Sequence, residues 1–258
     1  MHTMIEFEVP EFLSIKKYPE KIYYKGNLDL LNRQKVSIIG SRKPNQYTQQ
    51  MTHHLASELS RIGICIVSGG AMGVDAIAHR GAGSDSTIVV LPCGIDLHYP
   101  AVNKSLLENI ENNGLSMSQF ELSFQATNWS FVVRNSLVVA LGEVLIVTQA
   151  DINSGSMRSV EFALEMGKKI YVLPHRIGDS EGTNRLLSDG KAEPIYDIDT
   201  FVGKFGMVHS KIDKNDPFVL FCATQPVYEE AVVKFGDRVF EAELAGIIEV
   251  KNGRINVV

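Results

Sequence analysis

The sequence predicts an α/β protein: a doubly wound, mostly parallel sheet, followed by a small winged-helix-like C-terminal domain. Three observations carry this expectation. Short, nearly continuous β-branched runs recur from residue 36 onward, and longer amphipathic stretches separate them. The residues after 216 read instead as helices followed by a hairpin. Near-continuous apolar strands alternating with helices mark a parallel sheet covered on both faces.

Residues 1–34 read as an N-terminal extension, with the apolar pieces IEF and KIYY interrupted by Pro10 and Pro19. The sheet domain is expected over 35–202. Its strands are VSIIG (36–40), ICIVS (64–68), TIVVLP (87–92), VLIVT (144–148) and KIYVLP (169–174), with LSMS (115–118) as a weaker sixth. Helices are expected near 45–62, 73–82, 103–112, 131–141 and 157–167, joined by right-handed crossovers. Residues 203–216 are polar and Gly-containing and read as a linker. In 217–258, PFVLFCA, TQPVYEEAVVKF and GDRVFEAELA are three helical stretches. GIIEVKNGRINVV then reads as a hairpin turning at Asn252-Gly253. This order of elements is that of a winged helix.

Composition narrows the function. The chain has 258 residues, 45% hydrophobic and 21% charged, which is ordinary for a globular protein. No apolar run reaches the ~18 residues of a membrane span, and the acidic start MHTMIEFEVP has no secretory core. Cys65, Cys93 and Cys222 are odd in number and far apart, with no CxxC pair. A reducing, cytoplasmic setting is expected, with no disulfide framework. The net charge of −5 argues against a protein held to nucleic acid by bulk charge, while leaving room for a local phosphate site.

In doubly wound sheets, ligands bind beyond the carboxyl ends of the strands. The residues there are Gly40, Ser41, Arg42 and Lys43; Ser68, Gly69, Gly70, Ala71, Met72 and Gly73; Cys93-Gly94; and Ser154, Gly155 and Ser156. Three of these four loops are rich in Gly and Ser and lead toward helices. Small residues let backbone N–H groups approach an anion, and a helix N-terminus adds its dipole. Together the loops predict a phosphate groove, with Arg42 as its fork-shaped donor. No G-x-x-x-x-G-K-[ST] occurs, SGGAMG lacks the first Gly of a dinucleotide fingerprint, and no acidic residue ends TIVVLP. Neither a P-loop nor a dinucleotide cofactor is therefore expected, and a nucleic-acid backbone fits better.

Other features read as structural. Asp75 and His79 share a helix face without a third metal ligand nearby, His53 and His54 point apart, and Ser154 and Ser156 lack a His base. No metal, cofactor or catalytic constellation is expected. Phe131, ahead of Arg134 and Asn135, has two readings. It is a surface on which a base stacks or a core residue, and the residue types alone favour the core.

The ordered set GSR (40–42), SGGAMGVDAIAH (68–79), TIVVLPCGIDLHYPAVNKSL (87–106), FVVRNS (131–136) and SGSMRSVEFALEMGKKIYVLP (154–174) resembles the DprA/Smf family, DNA-processing protein A. The likeness covers roughly residues 20–200, beginning with KIYYKGNLDLL (21–31). YEEAVVKFGDRVFEAELAGII (228–248) looks like the C-terminal end of epsilonproteobacterial members. The resemblance implies a non-enzymatic single-stranded DNA-binding protein with an extended Rossmann-like domain, which protects incoming strands in natural transformation and loads RecA recombinase. It also implies a homodimer joined through the Rossmann domain, with no membrane partner. It assigns Ser41 and Arg42 to the phosphate-gripping turn, Gly69 to Gly73 to a second loop, and Asn135 to an RN motif. Here that motif reads RNS, so Ser136 replaces a basic residue, and Asn128 stands where some relatives have Lys. Gln119 follows Ser118 where a Glu is common, and the short 1–34 segment leaves no room for the family's sterile-alpha-motif-like domain. The competing reading is a nucleoside-monophosphate phosphoribohydrolase of the lysine-decarboxylase-like group. It lacks its P-G-G-x-G-T signature here.

Overall fold

The structure, a computed structural model, describes residues 3–205, 216–244, 248–251 and 253–257. The chain divides into two compact units, Met1–Val202 and Gly203–Val258. Among the described residues, no helix is long and apolar enough to cross a membrane.

The first unit is built on a nine-stranded sheet. Its strands in chain order are β1 (Thr3–Met4), β2 (Tyr23–Gly26), β3 (Lys35–Ile39), β4 (Cys65–Ser68), β5 (Thr87–Val90), β6 (Leu115–Ser118), β7 (Leu145–Val147), β8 (Ile170–Val172) and β9 (Glu193–Pro194). Their order across the sheet is β1-β2-β6-β5-β4-β3-β7-β8-β9. Pairing is parallel from β6 through β9, with Val36 opposite Ile66 and Ile38 opposite Ile146. The central strands are fully buried, as their unbroken apolar runs require. Ile38, Ile66 and Ile88 have no exposed surface, and each such side chain contributes roughly 1.5–3 kcal/mol by leaving water.

The helices fill the crossovers: α1 (Gln46–Arg61), α2 (Val74–Ala82), α3 (Lys104–Asn113), α4 (Asn128–Leu141) and α5 (Gly155–Glu165), then the shorter α6 (Glu181–Ser188) and α7 (Ile198–Gly203). Asn45 caps α1 by accepting from Thr48 N at 2.8 Å. Thr127 and Ser130 form a reciprocal capping box that starts α4. That box begins α4 three residues earlier than the apolar pattern indicates, and it brings Asn128 to Phe131 into the first turn.

The N-terminal segment departs from expectation. It is part of the sheet rather than an extension beside it. β2 pairs antiparallel with β6, Tyr24 lying opposite Met117, and β1 pairs antiparallel with β2. Val9, Phe12 and Leu30 enter the main core. Lys35, almost fully buried, donates to the Leu31 and Arg33 carbonyls and pairs with Glu11 at 2.7 Å.

The second unit contains α8 (Pro217–Cys222), α9 (Tyr228–Phe235), α10 (Asp237–Leu244) and the hairpin β10 (Ile248–Lys251) to β11 (Arg254–Val257). Its own small core gathers Phe218, Cys222, Ala231, Val239, Ile248 and Ile255. Gly253 takes a φ of +74° at the hairpin turn, while Asn252 lies outside the described residues. So does 206–215, the greater part of the expected linker.

Candidate nucleic-acid interface

The chain enters the parallel sheet at β3, adds β4, β5 and β6 on one side, then returns to place β7 on the other. The switch point therefore lies between β3 and β7, where an open α/β sheet offers its ligand crevice. A cleft of about 540 Å³ opens there. Gly40, Ser41 and Arg42 line it from the β3 side, and Ser154, Gly155 and Ser156 from the β7 side. Ala71, Phe131, Arg134 and Asn135 also line it, whereas Lys43, Ser68, Gly69, Gly70 and Gly73 of the residues singled out from the sequence do not.

The turn that carries Arg42 is braced from both sides. Ser41 N donates to the Gln149 carbonyl at 2.8 Å, and Asn45 N donates to Gln149 Oε1 at 3.0 Å. On the other flank Val74 N, at the start of α2, donates to the Ser41 carbonyl at 3.1 Å. Gly73 makes that approach possible. A Cβ there would lie 2.4 Å from the Ser41 oxygen and 2.6 Å from the Arg42 carbonyl carbon, and its φ is +78°. Within the turn Lys43 N donates to Ser41 Oγ at 3.1 Å. Arg42 itself is exposed and, among the described residues, no ion pair holds its guanidinium. That guanidinium sits over the Phe131 ring, 5.1 Å from the centroid. Tyr99 meets the same ring edge-on at 5.6 Å.

The Gly-rich loop after β4 is tied into its surroundings, and its Ala71 N–H donates to the Asp75 carboxylate at 3.3 Å. Its carbonyls are already engaged: Gly69 by Arg134, and Gly70 and Ala71 by Asn103 Nδ2 at 3.0 and 3.1 Å. Ser68 Oγ donates to the Ile38 carbonyl at 2.6 Å and is fully buried. Of this loop only Gly69 and Ala71, with Met72, reach the smaller hollow beneath Arg42 and Tyr99. Gly70 and Gly73 shape the backbone, and Lys43 is exposed outside both hollows.

Arg134 is likewise turned to an internal task. It is 3% exposed, and its guanidinium donates to the Gly69 carbonyl and, at 3.0 Å, to Val90 O. A Cβ on Gly69 would strike that guanidinium. Burial pushes the neighbouring Asp75 carboxyl above the usual carboxylate range, against the pull of Arg134. Arg134 thus places a buried positive charge at the floor of the cleft and leaves the surface contact to Arg42. Asp75 and His79 form no pair. The Asp75 carboxylate accepts from Ala71 N at 3.3 Å, whereas His79 Nδ1 bonds the Thr87 hydroxyl at 2.7 Å. Among the described residues no group of His, Cys, Asp and Glu is placed to hold a metal ion.

Phe131 is only partly buried and lines both hollows, so it is not a core residue. Gln149, Asn103 and Tyr99 were not singled out from the sequence. Their roles depend on which loop the fold brings beside them, and no local spacing announces that. Asn103 and Tyr99 do fall inside the TIVVLPCGIDLHYPAVNKSL stretch.

The chain has clear relatives. The sequence profile of a family described as DNA recombination-mediator protein A matches residues 1–206. The chain is 35% identical over 176 residues to the DNA processing protein DprA of Streptococcus pneumoniae, covering 67% of this chain and 62% of that protein. It is 31% identical over 194 residues to DprA of Bacillus subtilis, covering 71% and 65%. It thus spans less than two thirds of the length of these curated relatives. Among solved structures, one concerned with the single-stranded DNA binding mode of DNA processing protein A from Helicobacter pylori superimposes with a TM-score of 0.78. Its identity is 42%, over 80% of this chain and 95% of that one. The X-ray structure of DprA from Streptococcus pneumoniae gives a TM-score of 0.73 at 30% identity, over 79% and 74%.

Proposed function

This chain belongs to the DNA recombination-mediator protein A family, and from that membership and the switch-point cleft we propose that it binds single-stranded DNA. The observation that carries the proposal is Arg42, an exposed guanidinium with no carboxylate partner among the described residues, held out over a partly open aromatic ring by a turn braced on both flanks. A guanidinium is the fork-shaped donor that phosphate oxygens accept. An aromatic ring beside it offers the π-face on which an unpaired base stacks. Ser41, Asn135, Ser154, Gly155 and Ser156 supply the polar wall on which the backbone would lie.

In this reading the protein is a cytoplasmic binding protein and not a catalyst. It shelters strands taken up in natural transformation, hands them to RecA recombinase, and acts as a homodimer through its Rossmann domain. The structure of the Helicobacter pylori relative, concerned with single-stranded DNA binding, supports the first step. The net charge of −5 makes a local site, rather than a broad basic field, the source of affinity.

Titration of single-stranded and duplex oligonucleotides of equal length over a range of salt tests the reading. Single strands bind more tightly, because stacking needs unpaired bases, and the logarithm of affinity falls linearly with that of salt. Equal affinity for the duplex would contradict it. Phe131→Ala separates the two contributions: unchanged affinity in that variant would remove stacking and leave phosphate contact alone.

A further inference from the structure

The first turns of α4 present two aromatic residues to opposite sides. Phe131 faces the switch-point cleft, and Trp129 faces a second, larger groove of about 720 Å³ between α4, α5 and the 14–21 segment. At about 100° per residue, Asn128 and Val132 lie between them around the helix. Val132 lines both depressions and is 39% exposed. The two therefore adjoin at Val132 on the α4 surface.

Trp129 is the sole tryptophan of the chain and is 55% exposed. It is nevertheless held in place. Its ring meets those of Phe120 and Phe124 edge-on at 5.5 and 5.7 Å, and those two stack on each other at 4.7 Å. A large aromatic surface, fixed from behind and open in front, is the form of a base-stacking platform. Lys16, Lys17 and Lys21 stand on the groove rim. Each is paired with a glutamate, Lys16 with Glu165 at 3.1 Å, Lys17 with Glu20 at 3.5 Å and Lys21 with Glu121 at 2.7 Å. Such exposed pairs contribute little energy of their own. With three carboxylates beside three ammonium groups, the groove has no net pull on a polyanion, so stacking must supply the binding.

We propose that Trp129 is a second nucleobase subsite, which receives the single strand after it leaves the Arg42–Phe131 cleft across Asn128 and Val132. The inference rests on the single-stranded DNA reading above. The path around the outside of a helix roughly 10 Å across is about 16 Å for half a turn, so the two platforms sit on the order of five nucleotide rises of ~3.4 Å apart. A very short oligonucleotide fills the first site alone, and a longer one reaches both.

The test uses the full chain and the emission of its single tryptophan. Oligothymidines of roughly 4 and roughly 16 nucleotides are titrated while indole emission is recorded. In parallel, the anisotropy of labelled copies reports binding itself. Only the longer strand quenches Trp129. Trp129→Ala weakens the longer strand roughly 5- to 150-fold and leaves the shorter within about twofold, with the salt slope unchanged. Trp129→Phe, which keeps an aromatic ring and guards against a folding defect, retains most of the affinity. Binding of the longer strand with no change in indole emission overturns the inference. So does a folded Trp129→Ala protein that binds both lengths like the parent, as it would if the groove served a peptide. Failure of the underlying reading shows differently, as no rise in anisotropy with any oligonucleotide, and it removes this inference too.

Discussion

The guanidinium of Arg42 lies over the ring of Phe131, 5.1 Å from its centroid. A cation over an exposed aromatic face gains about 0.5–1 kcal/mol, enough to orient a side chain but not to hold it against a phosphate. The pair puts charge and π-surface at one point of the switch crevice, the two groups that a single strand offers contacts to.

Arg42→Ala is expected to weaken single-stranded DNA binding by about 1.5–3 kcal/mol, the value of a charge-assisted hydrogen bond. Since the partner is phosphate, the loss is nearly the same for different base sequences, and the salt slope falls by about one. Fluorescence anisotropy in a salt series measures both quantities. A folded variant that binds like the parent would show that Arg42 is not the anchor.

Gly73→Ala acts one step behind. The added methyl group would fall 2.4 Å from the Ser41 oxygen, at a φ of +78° that L-residues rarely adopt. The atoms it meets are backbone and have nowhere to swing, so α2 and the Arg42 turn must part. The expected cost is about 1–3 kcal/mol of stability, together with weakened DNA binding, because Ser41 loses its bond from Val74 N. Gly63→Ala is the control, since a Cβ at Gly63 meets nothing within 4 Å although its φ is also positive. It should cost stability and spare binding.

The central fold was legible because parallel strands buried on both faces leave uninterrupted runs such as VSIIG and TIVVLP, and Gly-Ser loops mark their carboxyl ends. β2 was not legible. A strand one place in from the sheet edge that pairs antiparallel with β6 through Tyr23, Tyr24, Lys25 and Gly26 carries only the short apolar piece KIYY, and β6 is far away in sequence. The site was legible by loop but not by role. An arginine beside Asn135 invites a phosphate from its residue type, yet Arg134 is spent on the carbonyls of Gly69 and Val90. Only the packing of α4 against the sheet decides that. Asp75 and His79 share a helix face as their spacing requires, but each bonds elsewhere.

His79 gives the fold a pH dependence of known sign. Burial, with Arg134 and Arg80 adding to it, lowers its pKa from 6.5 to about 3. The unfolded chain therefore binds a proton that the folded chain refuses, and stability is full above about pH 6.5. It declines as the pH falls below that, by at most about 1.4 kcal/mol per pH unit from this group, until the folded pKa is reached. Asp75, whose pKa is raised by burial, works in the opposite direction as it takes up its proton, so the His79 contribution is read by comparison with a variant over the window just below about pH 6.5. Denaturant unfolding followed by the emission of Trp129, which lies in the first unit, measures it. His79→Gln should flatten the slope in that window, and an unaltered slope would exclude His79 as its source.

The second unit is expected to contribute little to single-stranded DNA affinity. A winged helix that reads a duplex sends its third helix into the major groove and needs positive charge to approach the phosphates. Here that helix, α10, carries Asp237, Glu241 and Glu243 against Arg238 alone. Arg238 is itself engaged, paired with Asp216 and lying over the Phe218 ring at 4.9 Å. Over 217–258, Lys234, Arg238, Lys251 and Arg254 face Glu229, Glu230, Asp237, Glu241, Glu243 and Glu249. Such a surface repels a polyanion, whereas Val233 and Phe240, 89% and 58% exposed, suit contact with protein. A chain ending at Lys211 should keep single-stranded DNA affinity within about tenfold of the parent. A larger loss, above about 1.4 kcal/mol, with the first unit still folded by Trp129 emission, would place DNA contact in this unit despite its charge.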